Sequence, residues 1–275
     1  MHILKKTVYV SRELARRFLG HKLSEVGGTL AYFFLLSIFP FLIFLNALVG
    51  FLNLSLDQIL VDLSHVAPKE VILLLEGYLR SVVSHRNTGL LSFGLLATLY
   101  SASKAIRILI SVLNTAYEVK EKRNFFIVSL LSVILTLALG VTIVIMLVLP
   151  MLGRNIMTHI AQFFHLPINL VEIWVYIRWL IVFTILFFSI AFLYHFGPSH
   201  DDRFRKAIPG TIFTCTAWTL ISLGFATYVN QFGKYSLIYG SIGAVIVLMI
   251  WFYLTGIILM MGGEINQIFA SKERA

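Results

Sequence analysis

The chain has 275 residues, 59% of them hydrophobic, with 22 Lys and Arg against 13 Asp and Glu. A water-soluble domain covers its surface with about 25% charged residues, and the 13% found here excludes one. The apolar residues come in long blocks divided by short charged stretches, which also excludes disorder, collagen-like repetition and coiled coils; most of this chain is solvated by lipid.

A helix rises 1.5 Å per residue, so crossing about 30 Å of hydrocarbon takes about 20 mostly apolar residues. The first 28 residues fall short of that: Leu4, Val8, Ala15 and Phe18 alternate with Lys5, Lys6, Arg12, Arg16, Arg17 and Lys22, the pattern of an amphipathic helix lying on the membrane. The first apolar block, 29–52, is longer than the apolar region of a cleavable signal peptide and reads as a retained span. Pro40 in its middle removes one backbone hydrogen bond, making a hinge or a static kink, with Ser37 and Asn46 placed to satisfy freed groups.

The connection 53–88 has its own rhythm. Leu56, Ile59, Leu60 and Leu63 recur at helical spacing, then Pro68 opens a run with Val71, Leu74, Leu75, Tyr78, Leu79 and Val82. Two amphipathic helices on the outer interface are expected there. Further spans follow at 89–109, 126–152, 174–196, 207–229 and 238–262, and 156–164 reads as another interfacial stretch. Arg178 stands with Trp174, Tyr176 and Trp179, an interfacial anchor belt. The expected fold class is all-α, a polytopic membrane protein of six transmembrane helices forming a single membrane domain over 1–275.

Of the 22 Lys and Arg, 16 fall on the side that holds both termini and 6 on the other, which makes both termini cytoplasmic. The acids divide 8 and 5, so the net charge of +9 separates into +8 inside and +1 outside. The basic excess thus follows topology and the anionic inner leaflet, which points to membrane lipids as partners and away from nucleic acid.

A charge at membrane depth costs about 2.5 to 3.5 kcal/mol. On the second span Tyr100, Lys104, Arg107, Ser111 and Asn114 are spaced by 4, 3, 4 and 3, all on one helical face. Two readings are open. The cations bind a phosphate or carboxylate, such as an anionic lipid headgroup, in a wet cavity, or they snorkel to the inner interface. Glu264, the acid attached to the last apolar block, should stand at the height of Lys104 and Arg107 and could pair with them. It is a structural lock on one reading and a gate or proton-titrating carboxylate on the other.

Small residues gather at Gly94, Ala97, Thr98, Ser101, Ala102 and Ala105, and at Gly240, Ser241, Gly243 and Ala244, as close helix contact or homo-oligomer formation requires. The lone Cys215 allows neither a disulfide within the chain nor a cysteine zinc site. Walker, H-E-x-x-H and G-x-S-x-G motifs are missing, and His195 and His200 straddle a helix end. Asp201 and Asp202 read as a solvated turn rather than a metal site. Neither cofactor nor enzymatic activity is expected.

Longer motifs carry a resemblance. The run from Ala31 to Pro40, Tyr100-Ser101-Ala102-Ser103-Lys104, and Leu113 to Val119 with Arg123 resemble the YihY family of bacterial inner-membrane proteins. So do Ala207-Ile208-Pro209-Gly210, Trp218, Tyr228-Val229, Tyr235 to Gly243, Trp251-Phe252-Tyr253-Leu254 and Gly262-Gly263-Glu264-Ile265-Asn266. The family also carries the names virulence factor BrkB and ribonuclease BN. The resemblance implies six spans, cytoplasmic termini and a link to envelope integrity and to lipid or lipopolysaccharide export. A function resident in the long charged C-terminal tail of some members is not expected of these residues.

The function expected is therefore that of a transporter-like protein of the bacterial plasma membrane. It moves or gates an anionic or amphipathic envelope component, a lipid or envelope glycolipid, with Tyr100, Lys104, Arg107, Ser111, Asn114 and Glu264 as substrate or gate residues and Pro40 as hinge. The alternatives are a scaffold without transport and an ion-coupled exchanger titrating Glu264; the ribonuclease label is disfavoured for want of a catalytic constellation.

Overall fold

Backbone groups that leave water for lipid must be bonded within their own segment, and the apolar blocks are accordingly helical. The computed structural model describes residues 2–51, 88–163, 169–200, 203–231 and 235–274. Within them run α1 (His2–Gly20), α2 (Leu23–Phe51), α3 (Thr88–Ala116), α4 (Phe125–Phe163), α5 (Asn169–Phe196), a short 3-10 helix (Phe204–Ala207), α6 (Ile208–Gln231) and α7 (Tyr235–Arg274). There is no strand among the described residues.

Among the described residues six stretches are long and apolar enough to cross a membrane: Leu23–Phe44, Ser92–Ala116, Phe125–Met146, Ile177–Phe196, Phe204–Val229 and Val245–Ser271. They match the six expected blocks. Phe126, Leu130, Leu180, Leu220 and Leu223 are exposed on them, a surface suited to lipid tails rather than water. The two amphipathic helices expected in 53–88 fall, Thr88 apart, outside the described residues, as do Asp201, Asp202 and the side chains of Ser241 and Ala244.

Three boundaries differ from the sequence reading. The helix of the second span continues past 109 to Ala116, and that of the sixth continues past 262 to Arg274. Polar residues at both ends lie on buried positions and make side-chain bonds, so hydropathy falls before the helix does. The stretch 156–164 is no separate element as far as Phe163, because α4 runs unbroken through it. At 39 residues α4 is about 58 Å long, well beyond the hydrocarbon thickness. α2 likewise continues through Pro40 as one helical element.

The chain divides into two compact units, one of Met1–Leu36, Tyr100–Thr136 and Phe187–Ala275, the other of Ser37–Leu99 and Leu137–Leu186. In the second, Gly94 faces the backbone of Phe44 so closely that a β-carbon would collide with it. In the first, α7 packs against α1 and α6 around the buried Leu23, Leu30, Leu109, Leu113, Leu193 and Met260. Glycines make these approaches feasible: Gly210 meets the backbone oxygen of Gly262 and the amide of Asn266, while Gly262 meets the Thr214 and Tyr194 hydroxyls. Those two hydroxyls are 2.6 Å apart, and that of Tyr194 donates to the Leu259 carbonyl at 2.7 Å. These two hydroxyls thus bond α5, α6 and α7 to one another.

Candidate functional site

The first unit holds α1, the start of α2, the later part of α3, the start of α4, the finish of α5 and the whole of α6 and α7. Two groups of the polar residues singled out in the sequence lie in it.

The first is the α3 stripe, which the structure divides. Tyr100 is 64% exposed and Ser111 is exposed, with Lys104 and Arg107 half-buried between them. The Lys104 ammonium lies 4.4 Å from the Tyr100 ring centre and 5.9 Å from that of Phe33, and the Arg107 guanidinium lies 4.9 Å from that of Phe125. These distances suit cation–π contact. Neither cation meets a carboxylate among the described residues, and the buried Nε of Arg107 has no hydrogen-bond partner there. Asn114 leaves the stripe. It is 6% exposed, donating to Glu121 at 2.9 Å and accepting from the Ser199 backbone N–H at 2.7 Å.

The second is built around Glu264, whose side chain is fully buried. The expected pairing with Lys104 or Arg107 is not made. Arg17 Nη1 donates to one carboxylate oxygen at 3.2 Å, and His21 Nδ1 lies 2.5 Å from the other. Both partners come from α1 and the turn that ends it. In the sequence Arg17 stands out only among the basic residues of the amphipathic N-terminal stretch and of the charge count, and His21 in neither. A signal was available: Glu13, Arg17 and His21 recur every fourth residue, which aligns them on one face of α1.

Arg17 is the hub of this cluster. It also donates to Glu13 at 3.0 Å, to Glu118 at 2.8 Å and to the carbonyl of Ala116 at 3.1 Å, the last residue of α3. That carbonyl belongs to a helix end with no intrahelical donor left, where a cation is favoured. Burial pulls the guanidinium pKa down, but its bonds to Glu13, Glu264 and Glu118 outweigh this and raise it. Glu13 is held below its ordinary value chiefly by its bond to Arg16, with burial opposing.

Beyond α3, Glu118 takes a left-handed backbone with φ of 57°. Arg123 then closes the connection to α4 by donating to Glu121 at 2.7 Å and to the carbonyls of Phe196 at 3.0 Å and Gly197 at 2.7 Å, where α5 ends. The Asn124 side chain accepts from the Ile127 N–H at 2.8 Å, an N-cap for α4. Tyr117 stacks on His200 with ring centres 4.7 Å apart. No group of three or more His, Cys, Asp and Glu side chains among the described residues is arranged to hold a metal ion.

Pro40 lies inside α2, half-buried, three residues beyond Ser37, where the second unit begins.

Comparison with known proteins assigns the family. The family model described as virulence factor BrkB matches residues 14–275. A Bacillus subtilis (strain 168) protein named "Putative ribonuclease-like protein YfkH" is 40% identical over 96% of this chain and 96% of its own. A Vibrio atlanticus (strain LGP32) protein named "UPF0761 membrane protein" is 28% identical over 98% of this chain and 84% of its own. No solved structure matches the chain significantly. With six helices fit to cross a bilayer and a family match over nearly its whole length, the chain belongs to the virulence factor BrkB family and is a multi-pass bacterial membrane protein.

Proposed function

We propose that this protein handles an anionic amphipath of the bacterial plasma membrane, moving it or gating its passage, with Lys104 and Arg107 receiving the charge of the headgroup. The observation that carries this reading is the state of those two cations. They stand one helical turn apart on α3, half-buried and backed by aromatic rings, with no carboxylate opposite them among the described residues. A phosphate or carboxylate headgroup would supply the missing counter-charge and acceptors. The distribution of cations, 16 of 22 on the side of the termini, supports placing this end at the cytoplasmic face.

The test is lipid binding by purified protein, with phosphatidylglycerol and phosphatidylcholine competing in native mass spectrometry. We expect phosphatidylglycerol to be retained selectively, and the selectivity to be lost in Lys104→Gln and Arg107→Gln. Equal retention of both lipids would remove the reading. Movement is tested separately with a fluorescent anionic lipid in reconstituted vesicles.

A second reading, a scaffold without transport, is favoured by one observation: Glu264 is spent on Arg17 and His21, as a lock between elements would be. Selective lipid binding without lipid movement would select it. The ribonuclease-like name of the Bacillus protein is not carried over to this reading, which is non-enzymatic. Purified protein is expected to leave tRNA precursors intact, and metal-dependent cleavage abolished by changing Asp201 and Asp202 would overturn that.

A further inference from the structure

We infer that His21 and Glu264 form a proton-binding site that fastens α1 to α7, closed when His21 is charged and loosened when it gives up its proton. The charges in the cluster carry the argument. At its shielded centre Glu13 and Glu264 contribute two negative charges and Arg17 one positive, while Glu118 and Arg16, bonded to Arg17 and Glu13, reach solvent. One proton on His21 makes the balance neutral; without it an uncompensated negative charge stays in a cluster whose centre, Glu264, is fully buried. An uncompensated buried charge is costly.

The geometry suits the exchange of a proton. Glu264 has no contact with solvent, whereas His21 is 24% exposed and can trade protons with water. His21 Nδ1 lies 2.5 Å from the carboxylate oxygen, so a proton on that nitrogen is shared directly with Glu264. Arg17, on the other oxygen, keeps its charge at every working pH, so of the two groups bonded to Glu264 the imidazole is the one that can give up a proton. Other ionisable groups nearby are Lys22 and Glu25, paired with each other at 3.4 Å, Tyr117, which borders Gly263 and stacks on His200, and Tyr194, which borders Gly262. His200 is a second imidazole close by, so the test must separate the two histidines. This inference concerns α1 and α7 and stands apart from the Lys104–Arg107 reading.

The carbonyl of Ala116 accepts from Arg17 and the residue is 1% exposed, while its neighbour Thr115 is exposed. In full-length protein in lipid nanodiscs, with Cys215→Ala as background, Ala116→Cys and Thr115→Cys are each labelled with a water-soluble maleimide. The ratio of their rates cancels the common pH dependence of thiol chemistry. We expect that ratio, 116 over 115, to rise about tenfold between about pH 5.5 and pH 8. His21→Gln should hold it high and flat across the range. His21→Arg, a cation throughout, should hold it low and flat. A flat ratio in the parent protein, or a slope that survives in His21→Gln, would overturn the inference, the latter pointing to His200.

Discussion

Arg17 and Glu264 are 247 residues apart in sequence and 3.2 Å apart in the structure, with 9% and 0% of their side chains exposed. A pair this deeply shielded is held less by its own attraction than by the cost of leaving either member alone. Removing one partner of a buried ion pair typically costs about 3 to 5 kcal/mol.

The two members are not equivalent, and thermal denaturation in detergent should show it. Arg17→Met leaves Glu264 buried with only His21 and deprives the end of α3 of its cation, so it should cost about 3 to 5 kcal/mol. Glu264→Gln leaves Arg17 with Glu13, Glu118 and the Ala116 carbonyl and should cost less. The double variant should lose clearly less than the two single losses added, because the groups share partners. Simple additivity would mean that they act independently.

The glycines of the α6–α7 contact give a ranking. A β-carbon on Gly262 would strike the Thr214 and Tyr194 hydroxyls, which are bonded to each other, and one on Gly210 would strike the Gly262 carbonyl. One on Gly263 meets a terminal methyl of Leu113, which can turn aside. Gly210→Ala and Gly262→Ala should therefore each cost about 1 to 3 kcal/mol or more, and Gly263→Ala distinctly less. Equal melting temperatures for the three would show that the helices slide apart to accept the methyl group.

How much of this was legible beforehand follows from the range of each constraint. Lipid acts on every residue of a span, so the six helices are written as apolar blocks that any 20-residue window detects. The pairing of residue 17 with residue 264 has no local counterpart. Hydropathy also hides polar residues that bond inside the fold: Asn114, Glu264 and Asn266 are buried, yet each lowers the local average and shortens the apparent span. The even spacing of the α3 stripe showed which residues share a face. It did not show that Asn114, at the helix end, turns its amide to Glu121 and Ser199 while Ser111 is exposed.

That division of the stripe can be measured. Asn114→Ala orphans the Ser199 backbone N–H and frees Glu121, and should lower stability by about 1 to 3 kcal/mol while leaving phosphatidylglycerol selectivity in place. Lys104→Gln and Arg107→Gln should do the opposite, abolishing selectivity with little change in melting temperature. Loss of lipid selectivity in Asn114→Ala at unchanged stability would return Asn114 to the binding face.

The α3–α4 connection should respond to acid. The Arg123 guanidinium, hydrogen-bonded to Glu121, takes that carboxyl from the ordinary 4.5 down to about 2; burial opposes the shift, and the Arg123 backbone N–H and Asn114 add to it. A carboxyl whose folded value is depressed stabilises the fold fully above its unfolded value and loses that contribution as pH falls through the folded one. The window is therefore from about 4.5 down to about 2. Above it Glu121→Gln should melt below the parent protein, since the replacement is neutral and cannot hold Arg123 as a charged partner on the carbonyls that end α5. As pH falls from 4.5 toward 2 the difference between the two melting temperatures should shrink and vanish. A difference that persists unchanged at pH 2 would mean that Glu121 acts through shape and neutral hydrogen bonds, and that Arg123 holds the end of α5 without it.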